Sequence, residues 1–417
     1  MNNSELKKII CKILSCKDKI ELVSLSNRIT AENWNYIYDF LLSYNLCPLF
    51  YSLVKQNDLN VPIEIIKKLH KSYLISSALH LKKTHELKNV LLEFNKENID
   101  VMPLKGIYLA EKYYENSALR PMVDIDILVK PDDVKKALYI LEKLGFRCSK
   151  DYDHDFQINN HKHLPAFYSK SNVAIELHFT LFTHAGYYLK SVKIDLDNIW
   201  STSSKTILYG QKTTQMSVEN LILHLCVHIA EDKFKQKILH LFDVFQVIKN
   251  ENINWQLLIS KSKEWKAEKI LYCVLLSLNN LFNLKINDIV QQNLVFKGNM
   301  SEIECSLEKK LLCDLSSQSF EMVSNFKHRN FIDKLKYIKY TLFSDYSVCM
   351  FYGISDKSFK KYFYYIPRFF YLFKKYSKHF IDLYILRKGR HLQDTSISFN
   401  LFDEWIQNNE QNFKNNK

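Results

Sequence analysis

Seven glycines and seven prolines serve a chain of 417 residues. A sandwich or barrel of many short strands needs a turn-former at each reversal, so this scarcity directs the chain toward long helices. Hydrophobic residues at 47% and charged residues at 25% can pay for a packed core and exclude a fully disordered chain. The length suits about two or three domains. No apolar run reaches the roughly 18 residues of a membrane span. The N-terminus, MNNSELKKIICKILSCKDKIELV, sets apolar residues at helical spacing among charges, unlike a secretion signal, so a cytoplasmic location is expected. The nine cysteines form no Cys-x-x-Cys pair. Neither Cys11/Cys16 nor Cys305/Cys313 has zinc-ribbon spacing, which points to reduced core thiols.

Four regions are expected. Residues 1–97 read as helices, with Trp34, Ile37, Tyr38, Leu41, Leu42 and Tyr44 on one face. A long helix follows Pro62, with Leu69, Leu74, Ala78, Leu81, Leu87, Val90, Leu91 and Phe94 among its apolar positions. Residues 98–200 change texture. Ile99–Leu104 is a short apolar run ending at Lys105-Gly106, and Ile107–Tyr114 is helical. Met122–Val129 (MVDIDILV) alternates with strand period. Pro131 opens a helix and Gly145 stops it. His163–Tyr168 and Val173–Phe179 read as strands around the turn Ser169–Asn172. Residues 201–300 return to helix, with Ser217 as an N-cap. Residues 301–417 are expected to be helical, basic and aromatic.

The chemistry concentrates on three acids. Asp124 and Asp126 stand two apart on the expected strand, so both carboxylates leave one face of the sheet. Two enclosed anions repel, and a divalent cation between them relieves this. Oxygen ligands suit Mg²⁺, which also accepts substrate phosphates. Strand alternation puts Ala174, Glu176 and His178 on one face. If that strand lies beside the Asp124 strand, three carboxylates converge. Such a set can hold two ions that align the attacking and leaving oxygens of a phosphoryl transfer. Lys105-Gly106 opens a helix where backbone N–H groups and an ammonium can meet a phosphate. Arg120 reads either as a phosphate clamp or as an acid-pairing arginine.

The order Leu104-Lys105-Gly106, Arg120, Asp124-Ile125-Asp126-Ile127-Leu128-Val129, Gly145-Phe146, Ile175-Glu176-Leu177-His178 resembles the uncharacterised bacterial nucleotidyltransferase family of the DNA polymerase β-like superfamily. The likeness extends to Trp34 and Pro48-Leu49 upstream, and to His224, His228, Leu241-Phe242-Asp243-Val244 and Trp255 downstream. It implies an α+β fold, with a polymerase β-like core of small mixed sheet and helices at 98–200 between helical flanks. It also implies transfer of a nucleoside monophosphate from an NTP, ATP by default, to a small-molecule or peptide acceptor. In the superfamily pattern Asp124 and Asp126 are metal ligands for two Mg²⁺ ions, with Mn²⁺ as a substitute. Glu176 matches the third acid, as metal ligand or general base. Lys105, Gly106, Arg120 and His178 would bind the nucleotide. Lys105-Gly106 stands where the superfamily has Gly-Ser. Two alternatives stay open: a nucleotide-binding or scaffold protein without turnover, and another two-metal phosphoryl-transfer enzyme.

His224 and His228 share a helix face without a third zinc ligand and read as packed histidines near the pocket, with Asp243 capping or pairing nearby. His154, His161 and His163 are candidates for the pocket rim. Residues 327–390 hold 15 Lys/Arg against 4 Asp/Glu, most of the chain's net +13. Its interleaved Tyr and Phe are core by default. The alternatives are a face for an anionic membrane surface or an acidic partner; nucleic acid is disfavoured, since no binding motif accompanies the charge.

Overall fold

The computed structural model describes residues 2–148, 157–158, 161–182, 189, 191–235, 237–296, 299–312, 348, 352, 358–384, 399 and 401–407. The contacts divide the chain into two units, residues 1–149 with 162–296, and residues 150–161 with 297–417.

The first unit begins with helices α1 (Asn3–Ser15), α2 (Lys19–Asn27), α3 (Trp34–Ser43), α4 (Cys47–Asn57) and α5 (Ile63–Lys96). Asn2 starts α1 with a capping box: its side chain takes the Glu5 N–H while the Glu5 carboxylate takes its own. Helix α5 runs 34 residues from Pro62, about 50 Å at the α-helical rise. Its buried stripe is Ile65, Leu69, Ser76, His80, Lys83, Leu87, Val90, Leu91 and Phe94, a spacing of three and four that places one face on the rest of the unit. Leu74 and Leu81, among the apolar positions of the sequence reading, are exposed instead.

A five-stranded sheet follows, with β1 (Val101–Pro103), β2 (Asp124–Val129), β3 (Arg147–Cys148), β4 (Phe167–Tyr168) and β5 (Ala174–His178) in the order β1-β2-β5-β4-β3. Only β2 and β5 pair in parallel; the other neighbours are antiparallel, so the sheet is mixed. Helices α6 (Lys105–Tyr113) and α7 (Val134–Lys143) connect its strands. Ile125, Ile127, Val129, Ile175 and Leu177 are fully buried, and this apolar side fixes the register, because a slip by one residue would turn every acid into the core. The turn before β5 closes through Ser169 N–H to Val173 O at 3.0 Å, with Asn172 at φ 61°.

Residues 201–300 read as a helical region with helix from about Ser217, and the structure adds a hairpin ahead of that point. After α8 (Leu196–Ser201), strands β6 (Ser204–Leu208) and β7 (Gln211–Gln215) form a hairpin turning on Tyr209 and Gly210, both at positive φ. A non-glycine at the first turn position hides the signal that a two-residue turn normally gives. The helices α9 (Val218–Glu231), α10 (Ile238–Asn250), α11 (Trp255–Glu264), α12 (Glu268–Phe282) and α13 (Asp288–Asn293) complete the unit. Helices α9, α10 and α12 pack on one another, and α10 also meets α6.

In the second unit, α14 (Met300–Leu311) carries a buried Lys310 paired with Asp403 at 2.7 Å. Helix α15 (Tyr365–Tyr384) follows a short 3-10 turn at Phe359–Tyr364. Here the default of buried aromatics is corrected: Phe359, Phe363, Ile366, Phe370 and Phe373 are exposed. His154 and much of the basic segment (327–347, 349–351, 353–357 and 385–390) lie outside the described residues. Among the described residues no helix is long and apolar enough to cross a membrane. Cys11, Cys47, Cys226 and Cys273 are free and buried.

The fold is therefore α+β: a small mixed sheet set among helices.

Candidate active site

The parallel pairing of β2 with β5 sets Asp124 opposite Ala174, Asp126 opposite Glu176 and Leu128 opposite His178. Residues two apart on a strand share a face, so Asp124, Asp126, Glu176 and His178 leave the sheet on the same side. The structure thus brings the three acids together. Asp126 is nearly buried at 7% exposure, while Asp124 and Glu176 are partly open to solvent.

The two aspartates differ in their partners. Asp126 Oδ1 receives the Lys105 ammonium at 3.1 Å and lies 2.7 Å from His178 Nε2. Burial alone would raise its pKa, but Lys105 and His178 hold it well below the ordinary carboxylate range. For Asp124 the Lys105 charge is the weaker influence. Burial, then the charges of Asp126 and Glu176, push its carboxyl up to about 6. Glu176 Oε2 lies 3.4 Å from His163 Nε2 and 3.7 Å from His178 Nε2. Burial opposes its ionisation, yet His178 and His163 lower its pKa overall.

Lys105 is the first residue of α6 and has φ 44°, a left-handed conformation that costs a side-chain-bearing residue energy. Leu104 N–H bonds Asp126 O at 2.9 Å, so the chain passes directly from the sheet edge into the helix. That passage aims Lys105 at the acids. Burial would lower its pKa, but Asp126 raises it overall.

Gly106 and Arg120 form one device. A Cβ at Gly106 would stand 2.6 Å from Arg120 Nη1 and 3.2 Å from Met122 Cβ. The guanidinium is pinned there by a fork onto Asp243 of α10, with Nε–Oδ1 at 3.2 Å and Nη2–Oδ2 at 2.6 Å. Tyr114 O–H donates to the same carboxylate at 2.7 Å. The acid-pairing reading of Arg120 therefore describes its present contacts, and Asp243 is its partner. A phosphate-clamp role would require this pair to open.

The histidines divide into two groups. His163 and His178 stand at the acids, with ring centroids 4.8 Å apart. His228 of α9 lies 3.1 Å from Glu231, which also pairs with Lys162 at 2.7 Å, and its ring packs on His240. Burial, then the Lys105 charge, drives His224 down to about 3 and His228 well below the ordinary value. These are packed, neutral histidines near Lys105. Two further residues escaped the sequence reading. His80 and Lys83 occupy buried positions on α5, and Asp124 partly offsets the burial that lowers the Lys83 pKa. Their signal was available: both continue the apolar stripe of α5 with polar side chains.

A divalent cation fits this site chemically. Three carboxylates share one face, and at Asp124 the repulsion from Asp126 and Glu176 outweighs the Lys105 charge, a balance that a bound cation would reverse. No curated protein matches the sequence. A crystal structure titled as an antigenic nucleotidyltransferase-like protein from Paracoccidioides brasiliensis is similar over 46% of this chain and 92% of its own, at 15% identity and a TM-score of 0.29. The model of a family described as uncharacterised nucleotidyltransferase matches residues 30–283. With its matched span enclosing all three acids, Lys105, Arg120 and Asp243, the chain belongs to that uncharacterised nucleotidyltransferase family.

Proposed function

We propose that the protein is an enzyme that transfers a nucleoside monophosphate from an NTP to an acceptor hydroxyl or phosphate and releases pyrophosphate. The observation that carries this is the convergence of Asp124, Asp126 and Glu176 on one face of two parallel strands. Asp124, Asp126 and Glu176 would hold Mg²⁺, which when bound supplies charge neutralisation for the triphosphate and alignment of the reacting oxygens. Asp126 is kept ionised at neutral pH by Lys105 and His178. Lys105 stands beside it as the cation able to meet a phosphate at the start of α6. In the transfer, the acceptor hydroxyl gives its proton to Glu176 or solvent, its oxygen bonds to the α-phosphorus, and the bond from that phosphorus to the pyrophosphate oxygen breaks. Glu176 would complete the metal site or act as general base toward the acceptor hydroxyl. Incubation with each labelled NTP, Mg²⁺ and a cell extract tests the reaction. Label on an acceptor together with pyrophosphate supports it; ADP or orthophosphate as the product assigns another phosphoryl transfer.

We also propose that the basic helix α15 and the turn before it engage an anionic membrane surface. Exposed Phe359, Phe363, Ile366, Phe370 and Phe373 accompany Lys360, Lys361, Arg368 and Lys374. Apolar rings with flanking cations match lipid chains under anionic headgroups. The full chain should co-sediment with phosphatidylserine-containing vesicles more than with phosphatidylcholine alone. Phe370→Glu with Phe373→Glu should abolish the difference. Equal sedimentation of wild type and variant, or binding only to an acidic protein or nucleic acid, would overturn the assignment.

A further inference from the structure

We propose that the Glu176 end of the acid cluster is a mixed nitrogen and oxygen site that takes a borderline transition-metal ion, of the Zn²⁺ or Co²⁺ type, through His163, Glu176 and His178. This rests on Glu176 being a cation ligand, as proposed for Mg²⁺ together with the aspartates, and adds an ion of a different class on the histidine side of the same carboxylate.

The donors are already assembled. His163 Nε2, Glu176 Oε2 and His178 Nε2 are separated by 3.4 Å and 3.7 Å across the carboxylate. The three ligand atoms lie within 4.8 Å of one another. Ligands about 2.1 Å from a tetrahedral ion stand roughly 3.4 Å apart, so two of the three separations are close to what coordination needs. Imidazole nitrogen suits zinc and its neighbours, whereas Mg²⁺ prefers oxygen and water.

The tautomer of His163 supports the assignment. Its Nδ1 lies 2.7 Å from the Leu164 carbonyl oxygen, which can only accept a hydrogen bond. Nδ1 therefore carries the proton, and in the neutral ring Nε2 presents its lone pair toward the Glu176 carboxylate. A nitrogen lone pair facing a carboxylate oxygen at 3.4 Å gives a shared cation two donors. The carbonyl bond is also the arrangement by which metal-binding histidines are usually oriented.

The backbone holds these donors in place. His163 bridges His178 across the sheet edge; Leu164 N–H bonds Leu177 O at 3.0 Å, and Phe179 N–H bonds Lys162 O at 3.1 Å. Ligands fixed by backbone pairing lose little freedom when an ion binds. His178 Nε2 now lies 2.7 Å from Asp126 Oδ1. Coordination through that nitrogen replaces this contact, leaves the ring's N–H on Nδ1, and leaves Asp126 with Lys105 as its counter-charge.

The test uses the full chain, freed of any polyhistidine tag and stripped of metal. Titration with Zn²⁺ or Co²⁺ should show one site much tighter than for Mg²⁺. X-ray absorption of the zinc-loaded wild type should show imidazole scattering. His163→Ala should weaken that site at least tenfold, as should Glu176→Gln. X-ray absorption on the wild type gives an answer even if a variant fails to fold. A zinc shell without imidazole, no preference over Mg²⁺, or unchanged affinity in a folded His163→Ala protein would overturn the inference. Nucleotidyl transfer is read separately from labelled product. A tight imidazole site without transfer would refute the proposed function and leave this inference standing, and transfer with no such site would do the reverse.

Discussion

At the scale of the residue, Asp124 and Asp126 stand two positions apart and yet do opposite things to stability. Asp126 is matched by Lys105 and His178, whereas Asp124 is held among like charges. The folded pKa of Asp124, about 6, exceeds the ordinary 3.8. A folded state that binds a proton more tightly loses stability as pH rises between those two values. At about 1.4 kcal/mol per pH unit, this amounts to at most roughly 3 kcal/mol, reduced by the carboxyl's partial exposure. Asp124→Asn should therefore raise the melting temperature of the metal-free protein at pH 8, and the gain should vanish below about pH 4. Asp126→Asn should do the reverse. It leaves the Lys105 ammonium buried without its counter-charge, at a cost of about 3–5 kcal/mol. Urea melts of both variants at the two pH values measure the contrast. Asp124 with Asp126, and Glu176 with His178, were legible as same-face sets because strand period fixes which side chains of one strand share a face; that the two strands lie side by side is read from their pairing. Lys83 beside Asp124, and Arg120 as the partner of Asp243, were not assigned, since each pair joins distant elements whose packing no local pattern states.

Among the elements, the start of α6 carries the tightest constraint. Gly106 has no unusual backbone angle to defend; its missing Cβ makes room for the Arg120 guanidinium, which Asp243 holds from α10. Gly106→Ala must push Arg120 off its fork or move the helix. Overpacking of this kind costs about 1–3 kcal/mol, and loss of the buried pair adds to it. The measured loss should shrink in an Arg120→Ala background, where the methyl group has space. Equal losses in both backgrounds would show that the glycine serves something other than this contact. The sequence reading assigned Gly106 to phosphate approach, because a Lys-Gly turn before a helix looks alike in both cases. Only the fold shows which atoms crowd the glycine. The β6–β7 hairpin went unread for a related reason: Tyr209, ahead of Gly210, holds a positive φ where a two-residue turn usually has Asn, Asp or Gly.

For the molecule as a whole, the helical flanks do more than enclose the sheet. The long helix α5 brings Lys83 toward Asp124, and α9 and α10 place His224, Glu231 and Asp243 around Lys105 and Arg120. The residues of the site thus come from across the matched span rather than from one strand pair. The helix-rich class followed from the scarcity of turn-formers and the strands from the alternating runs, while the small mixed sheet is what the family resemblance implies. The partition of the chain into two units depends on long-range contacts that composition does not encode. The central claim is that the three acids hold divalent cations which in turn hold a triphosphate. Its most direct test is the thermal stabilisation of the full chain by NTP with and without Mg²⁺, in wild type and in Asp124→Ala, the variant that leaves the Lys105–Asp126 pair intact. The nucleotide should raise the melting temperature only with Mg²⁺ and only in the wild type. Stabilisation of equal size without Mg²⁺, or in Asp124→Ala, would contradict it.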